Sequence, residues 1–446
     1  MENRREFIKK SAVAGLGLAL PTVGVSASSY NRIIGSNDRV RVGIIGFSDR
    51  FRQSLAPAFA EHAKAQNFAF VGVSDIWNRR RDEAEQYLKG KGLNDSSFFK
   101  ARNNDELLDR KDVDAVIIST ADFQHALHCA AAVESGRDAY CEKPFAEALD
   151  DARKAVKAVE SSKKIVQVGS QRRSAPNYHQ ANDFIRSGKF GDITMVEMTW
   201  NVNQPGRWRR PKLVSEIRKE DTDWDRYQLN RPKTEWDPRK YLEFRLFYPY
   251  SSGIPGQWMS HQIDTVHWFS GLDHPRSVVA NGGIYSWKDG RVNPDTFTAV
   301  FDYGPDNDKT KGFQVLYSSR MNNEAGGVKE YYFSNGGMIN LDTNKISPEG
   351  GLEAKYAKDM NMQANLLPTM SLGEAAKMET SANTGGDPMT SLHMLNWMEC
   401  VRSRKEPNAP ARVGFNHSVA NIMATTALHT GKRVTWDATK QDMVIS

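Results

Sequence analysis

Through its first third the chain alternates short apolar runs with stretches of helical composition. Residues 39–46 predict a buried strand that runs into a glycine turn, and residues 54–64 a helix. Residues 68–75, 113–120, 138–141 and 164–168 predict further strands, with helices at 77–89, 124–135 and 148–161 between them. Strands this short and this continuously apolar, separated by helices, predict a parallel sheet covered on both faces. Beyond residue 165 the pattern changes. After a helix at 178–187, residues 193–200 alternate between two faces as strands of an open sheet do. Residues 277–285, 296–303, 312–318 and 330–333 predict antiparallel strands. Residues 201–252 are rich in proline, arginine and aromatics and lack periodicity, which predicts a long ordered loop over a site. Residues 359–387 predict a surface excursion, and helices at 389–403 and 416–428 close the second domain.

A dinucleotide site needs a glycine turn after the first strand, so that the pyrophosphate can sit at a helix N-terminus. It also needs an acid at the end of the second strand for the ribose. In the register of the G-x-G-x-x-G fingerprint the chain reads Gly46-Phe47-Ser48-Asp49-Arg50-Phe51 and keeps only the first glycine. Ser48 is small enough for close approach, whereas Phe51 is a clear departure. Asp75 stands where the ribose acid belongs. Arg79, Arg80 and Arg81 would receive a 2′-phosphate that Asp75 repels, so NAD is expected ahead of NADP. The expected fold class is α/β. An N-terminal Rossmann dinucleotide-binding domain (38–165) is followed by a C-terminal α/β domain (166–446) with an open, mainly antiparallel sheet.

Composition narrows the setting. The chain has 446 residues, 39% hydrophobic and 26% charged, and a net charge of +6. Removing the four basic and two acidic residues of the first 27 leaves +4, too little for a nucleic-acid partner without a clustered basic face. Cys129, Cys141 and Cys400 form no framework of close pairs and are read as free thiols. Asn3-Arg4-Arg5-Glu6-Phe7-Ile8-Lys9 is a twin-arginine n-region, residues 11–20 are a short apolar h-region, and Val25-Ser26-Ala27 is a small-residue cleavage site. The apolar run falls short of the ~20 residues of a membrane span. Residues 1–27 are therefore expected to direct export to the periplasm through the twin-arginine machinery.

Two constellations carry the chemistry. Glu142-Lys143-Pro144 closes the fourth strand, and the proline restricts the backbone that presents the lysine. His261 and Asp264 lie three apart on a predicted helix, so the carboxylate is expected to orient the imidazole. His261 and His267, six apart, are turned ~120° from one another on that helix and are not expected to share a metal. Six of the ten tryptophans lie between Trp200 and Trp268, and aromatic faces beside arginines suit a sugar ring.

Taken in order, Ile44-Ile45-Gly46, Ser119-Thr120 with His125, Glu142-Lys143-Pro144, Gly169-Ser170-Gln171-Arg172-Arg173 and the His261/Asp264 helix resemble the Gfo/Idh/MocA family of oxidoreductases. The resemblance runs from about residue 38 to Trp436-Asp437 and implies a tightly held nicotinamide cofactor and a sugar or polyol substrate. By position it implies Lys143 at the reacting hydroxyl and the nicotinamide ribose, and His261 as the acid/base. Because Gln257 cannot take a proton, Asp264 or water is left as the relay, and Asp264 joins the catalytic candidates. The resemblance implies Gly46, Phe47, Ser48, Asp49, Arg50, Asp75, Arg80, Ser119, Thr120, His125, Glu142, Lys143 and Gln171 at the cofactor. Arg173, Tyr178, Trp208, Gln257 and Trp258 are the substrate candidates, and no metal is implied. The open sheet implies a dimer or tetramer. Ala121 stands where the family usually has proline, and Gln257 where many members carry an aspartate.

The expected function is an exported NAD-dependent oxidoreductase working on a ring hydroxyl of a sugar, polyol or glycoside, its cofactor recycled in place. Two alternatives are an NAD-dependent glycosidase working through transient oxidation and a non-catalytic carbohydrate or nucleotide sensor. The glycosidase needs a further base, for which Tyr178, His179 and Tyr248 are candidates.

Overall fold

The computed structural model describes residues 38–373 and 387–446. The export signal expected at 1–27 lies outside them, as does part of the excursion expected at 359–387.

Strands β1 (Val40–Ile45), β2 (Phe68–Ser74), β3 (Asn94–Ala101), β4 (Ala115–Ile118), β5 (Asp138–Cys141) and β6 (Val166–Val168) form one parallel sheet in the order β3-β2-β1-β4-β5-β6. The order reverses between β1 and β4, and in such sheets a crevice opens there, outside the carboxyl ends of the strands. β3 was not anticipated. It is an edge strand, half exposed and polar at its start, so it has no apolar run to announce it.

The second sheet has ten strands, β14-β13-β12-β11-β7-β10-β9-β8-β15-β16. In chain order they are β7 (Met195–Asn201), β8 (Ser277–Gly283), β9 (Thr296–Tyr303), β10 (Phe313–Arg320), β11 (Val328–Ser334), β12 (Gly337–Asn340), β13 (Lys345–Ser347), β14 (Met370–Ser371), β15 (Val434–Asp437) and β16 (Asp442–Ile445). Every pairing is antiparallel except β7 with β10. Strict alternation decides its faces: Phe297, Ala299, Phe301 and Tyr303 of β9 are buried, and the residues between them are half-exposed. The helix Ser260–Ser270 packs against the helix Ala411–Thr430, which in turn lies against β8.

Two corrections concern the connections. The loop at 201–252 contains three short α-helices, Pro211–Glu216, Trp224–Tyr227 and Pro238–Leu242, and two single 3-10 turns, Lys219–Asp221 and Phe244–Leu246. The helix Pro388–Ser403 does not close the second sheet. It returns to the first, where Trp397 packs on Phe68 and Tyr140 at ring distances of 5.9 and 6.0 Å. Gln167 of β6 donates to the His393 carbonyl at 2.7 Å, and Arg404 pairs with Asp138 at the start of β5.

Candidate functional site

The five turns after β1, β2, β4, β5 and β6 meet at the crevice. The cleft holds about 1860 Å³, its open mouth included, and is lined by every residue expected at the cofactor, from Gly46 to Gln171. Gly46 has φ +87°, and a Cβ there would stand 2.7 Å from Thr120 Cγ2. Only glycine leaves this cradle open. Ser48 Oγ accepts the Phe51 N–H at 3.2 Å, starting a wide helical turn (Phe51–Leu55) that continues as the helix Ala56–Gln66. Phe51 does not obstruct the turn. Its ring is fully buried against Phe47 and Phe70, so aromatic packing fills the space that a third glycine would close up.

Asp75 accepts the Phe47 N–H, the Trp77 N–H and the Tyr241 hydroxyl, each at 3.0 Å. Burial pushes its carboxyl up, against those donors and Arg80. The neighbouring arginines do not gather for a 2′-phosphate. Arg79 pairs with Glu83 and Glu216, Arg81 donates to the Asp75 carbonyl, and Arg80 alone lines the cleft.

At the other end, Glu142 accepts from Arg50 Nε at 2.9 Å and from the Lys143 N–H at 3.1 Å. Burial would raise this carboxyl, but Arg50 and Lys143 outweigh it and leave Glu142 below its ordinary value. Lys143 precedes a cis proline and donates from Nζ to the Gln257 carbonyl. Burial draws its pKa down to about 7, against the pull of Glu142 and Asp122. Burial lowers the pKa of His125, whose Nδ1 lies 2.8 Å from the Pro144 carbonyl and whose Nε2 lies 3.2 Å from that of Thr120; as a neutral ring it donates to one of these carbonyls at a time.

His261 lies near-parallel to Trp200 at 5.8 Å, and Trp200, Trp258 and Trp208 continue the aromatic wall at 6.1 and 5.4 Å. Burial, then Lys143 and Arg172, hold the imidazole well below its ordinary pKa, so the ring is neutral. Its Nδ1 has no hydrogen-bond partner among the described residues.

Asp264 does not orient this histidine. Its carboxylate is taken by Arg173, with Nε at 2.9 Å and Nη2 at 3.0 Å. The same pair removes Arg173 from the substrate candidates, and neither residue lines the cleft. Nor does Tyr178, whose hydroxyl donates to buried Glu330 at 3.4 Å. His267 meets the Tyr303 hydroxyl at 2.8 Å. Trp208, Gln257 and Trp258 do line the cleft.

Several lining or supporting residues carried no signal in the sequence. Asp122 accepts from Gln257 Nε2 and from Ser251 Oγ, both at 2.6 Å. A carboxylate therefore stands behind position 257 after all, on the loop after β4 rather than on the helix. The segment 207–245 covers the cleft, fixed by Tyr241 on Asp75, by Arg210 on Asp49 at 3.0 Å and by Gln124 on the Tyr227 carbonyl at 2.6 Å. The loop was legible as a cover; its contacts have no fixed offset from any motif.

Residues 40–170 match the family described as "Oxidoreductase family, NAD-binding Rossmann fold", GFO_IDH_MocA. That match falls on the parallel-sheet part of the chain and is a likeness to an NAD-binding oxidoreductase domain. Inositol 2-dehydrogenase of Salmonella typhimurium is 26% identical over 246 residues, 54% of this chain and 66% of that protein. A glycosyl hydrolase family 109 protein of Shewanella pealeana is 24% identical over 232 residues, 46% of this chain and 50% of that one. The matched stretches thus span no more than 66% of these relatives. Scyllo-inositol dehydrogenase from Lactobacillus casei, solved with NAD(H) and scyllo-inositol, shares the fold at a TM-score of 0.60 and 16% identity. That match covers 89% of this chain and 99% of the other.

The residues present fit the family's cofactor. Besides the open cradle at Gly46, the buried Thr120 Oγ1 has no partner among the described residues, a polar atom left facing the point where the strand order reverses.

Proposed function

We propose that the chain oxidises and reduces a ring hydroxyl of a sugar, polyol or glycoside, with tightly held NAD recycled in place. The observation that carries this is the meeting of Lys143, with its pKa near 7, and neutral His261 in the cleft that begins at the Gly46 turn. NAD when bound supplies the hydride acceptor and donor. Gly46, Ser48 and Arg50 would face its phosphates, Asp75 and Arg80 its ribose. The neutral lysine takes the hydroxyl proton in oxidation and returns it in reduction, because a base titrating near the working pH transfers protons most efficiently. The imidazole of His261, held flat by Trp200, orients the same hydroxyl. Gln257, fixed by Asp122, holds the lysine between turnovers.

Export through the twin-arginine route, supported by Arg4 and Arg5, fits a cofactor that stays bound where free NAD is scarce. Denaturing the purified exported protein should release NAD or NADH in near-stoichiometric amount, read by absorbance and mass. A protein that releases none and binds none on titration would end this reading. A second expectation concerns pH. A lysine protonated below about pH 7 cannot accept a proton, so kcat/KM for oxidation should fall about tenfold per unit below that value and level off above it. An acid limb that persists unchanged in Lys143→Arg would assign the titration elsewhere.

The glycosidase reading is favoured by the Shewanella relative. Its expected bases are engaged elsewhere: Tyr178 on Glu330, His179 on the Arg173 carbonyl, and Tyr248 against the His429 ring. Release of nitrophenol from chromogenic glycosides without net NADH formation would favour it.

A further inference from the structure

The acid that would receive the ribose is already heavily used by the protein. Asp75 Oδ1 accepts the Trp77 N–H and the Tyr241 hydroxyl, and Oδ2 accepts the Phe47 N–H. A carboxylate offers about four lone-pair sites, so one acceptor position remains, on Oδ2. The adenosine ribose of a dinucleotide presents two neighbouring hydroxyls, and both are donors. One of them must find another acceptor or stay unpaired beneath the cover of the cleft.

Tyr241 supplies that acceptor. Its only hydroxyl proton is committed to Asp75, which leaves the phenol oxygen with lone pairs that can accept. Burial holds the phenol well above its ordinary pKa, so it stays protonated and keeps Asp75 as its partner. Both side chains line the cleft. The tyrosine ring is fixed as firmly as the acid. It packs edge-on to Trp77 at 6.3 Å and to Tyr227 at 5.2 Å, and Tyr227 in turn donates to the Lys240 carbonyl at 2.8 Å. The covering segment is pinned to the residues after β2 as well: the Asp223 N–H donates to the Ile76 carbonyl at 3.0 Å, and Glu216 pairs with Arg79.

Resting on the NAD reading above, we propose that Tyr241 completes the adenosine-ribose site, Asp75 taking one hydroxyl of the diol and Tyr241 Oη the other. The ribose then joins the first sheet to the covering segment, and departure of the cofactor breaks a bond to each. The test equilibrates the full chain with NAD and an equal concentration of its adenosine 2′-deoxy or 3′-deoxy analogue, removes free dinucleotide and counts what is retained by mass. The parent should favour NAD over both analogues, by about threefold to tenfold where the missing hydroxyl pairs with Tyr241 and by more where it pairs with the charged Asp75. In Tyr241→Phe, which keeps the ring, one analogue should be retained equally with NAD while the other is still disfavoured. Titration should show NAD itself bound about threefold to tenfold more weakly by this variant. Two outcomes overturn the inference and leave the NAD reading standing. Either both analogues stay as disfavoured in the variant as in the parent, or the variant binds NAD as tightly as the parent or more tightly, the hydroxyl then competing with the ribose for the acid. A parent chain that retains no dinucleotide ends the NAD reading itself.

Discussion

Replacing Lys143 by methionine should lower turnover by about 10³-fold, the scale at which a positioned acid–base group contributes. Methionine keeps the length and burial of the side chain and removes only the nitrogen that reaches the Gln257 carbonyl. Dinucleotide binding should change by less than tenfold, because the Gly46 cradle and Asp75 lie on other turns of the sheet. The loss should appear in the chemical step, read by single-turnover formation of NADH. His261 should respond too. Lys143 is the leading charge that depresses its imidazole, so the variant's histidine should titrate at higher pH, followed by NMR. Turnover within tenfold of the parent would remove Lys143 from the chemistry.

The largest stability effect should come from Arg172→Met. Arg172 and Glu330 are each 3% exposed and in contact, and the Thr265, Tyr332 and Tyr178 hydroxyls gather around the same carboxylate. Burial pushes Glu330 up and Arg172 pulls it back. Removing the guanidinium leaves a buried carboxyl without its counter-charge, at a cost of about 3–5 kcal/mol. Chemical denaturation would measure it. The double variant Arg172→Met, Glu330→Gln should recover much of the loss, and a single variant costing under about 1 kcal/mol would show that the pair is dispensable. Because Arg172 also lies over Trp200 at 5.9 Å, its loss should loosen the wall behind His261.

Which parts of this were legible in the sequence follows from how far each signal reaches along the chain. The strands of the parallel sheet announce themselves by local apolar runs, and the turns that follow them meet because strand order reverses between β1 and β4. One sheet rule therefore collects Gly46, Asp75, Thr120, Lys143 and Gln171. β3 escaped because an edge strand needs no apolar run. Asp264 misled because a spacing of three on a helix gives a shared face, not a partner, and Arg173 on another element had the better geometry. Asp122, Arg207 and Arg245 reach the site through contacts spanning tens of residues, which no local pattern encodes.

The return of the helix Pro388–Ser403 to the first sheet has a consequence for biosynthesis. Met394, Trp397, Met398 and Val401 share one apolar cluster with Val42, Phe59 and Phe70, so one face of the first sheet is covered by residues made some 350 positions after its first strand. Amino-terminal domains ordinarily finish folding while the ribosome is still at work. Here that half must wait, with part of its apolar surface bare, until nearly the whole chain has emerged. A fragment ended after β6 should accordingly be an insoluble product rather than a free-standing nucleotide-binding module, and any chaperone serving this chain would meet it at that stage.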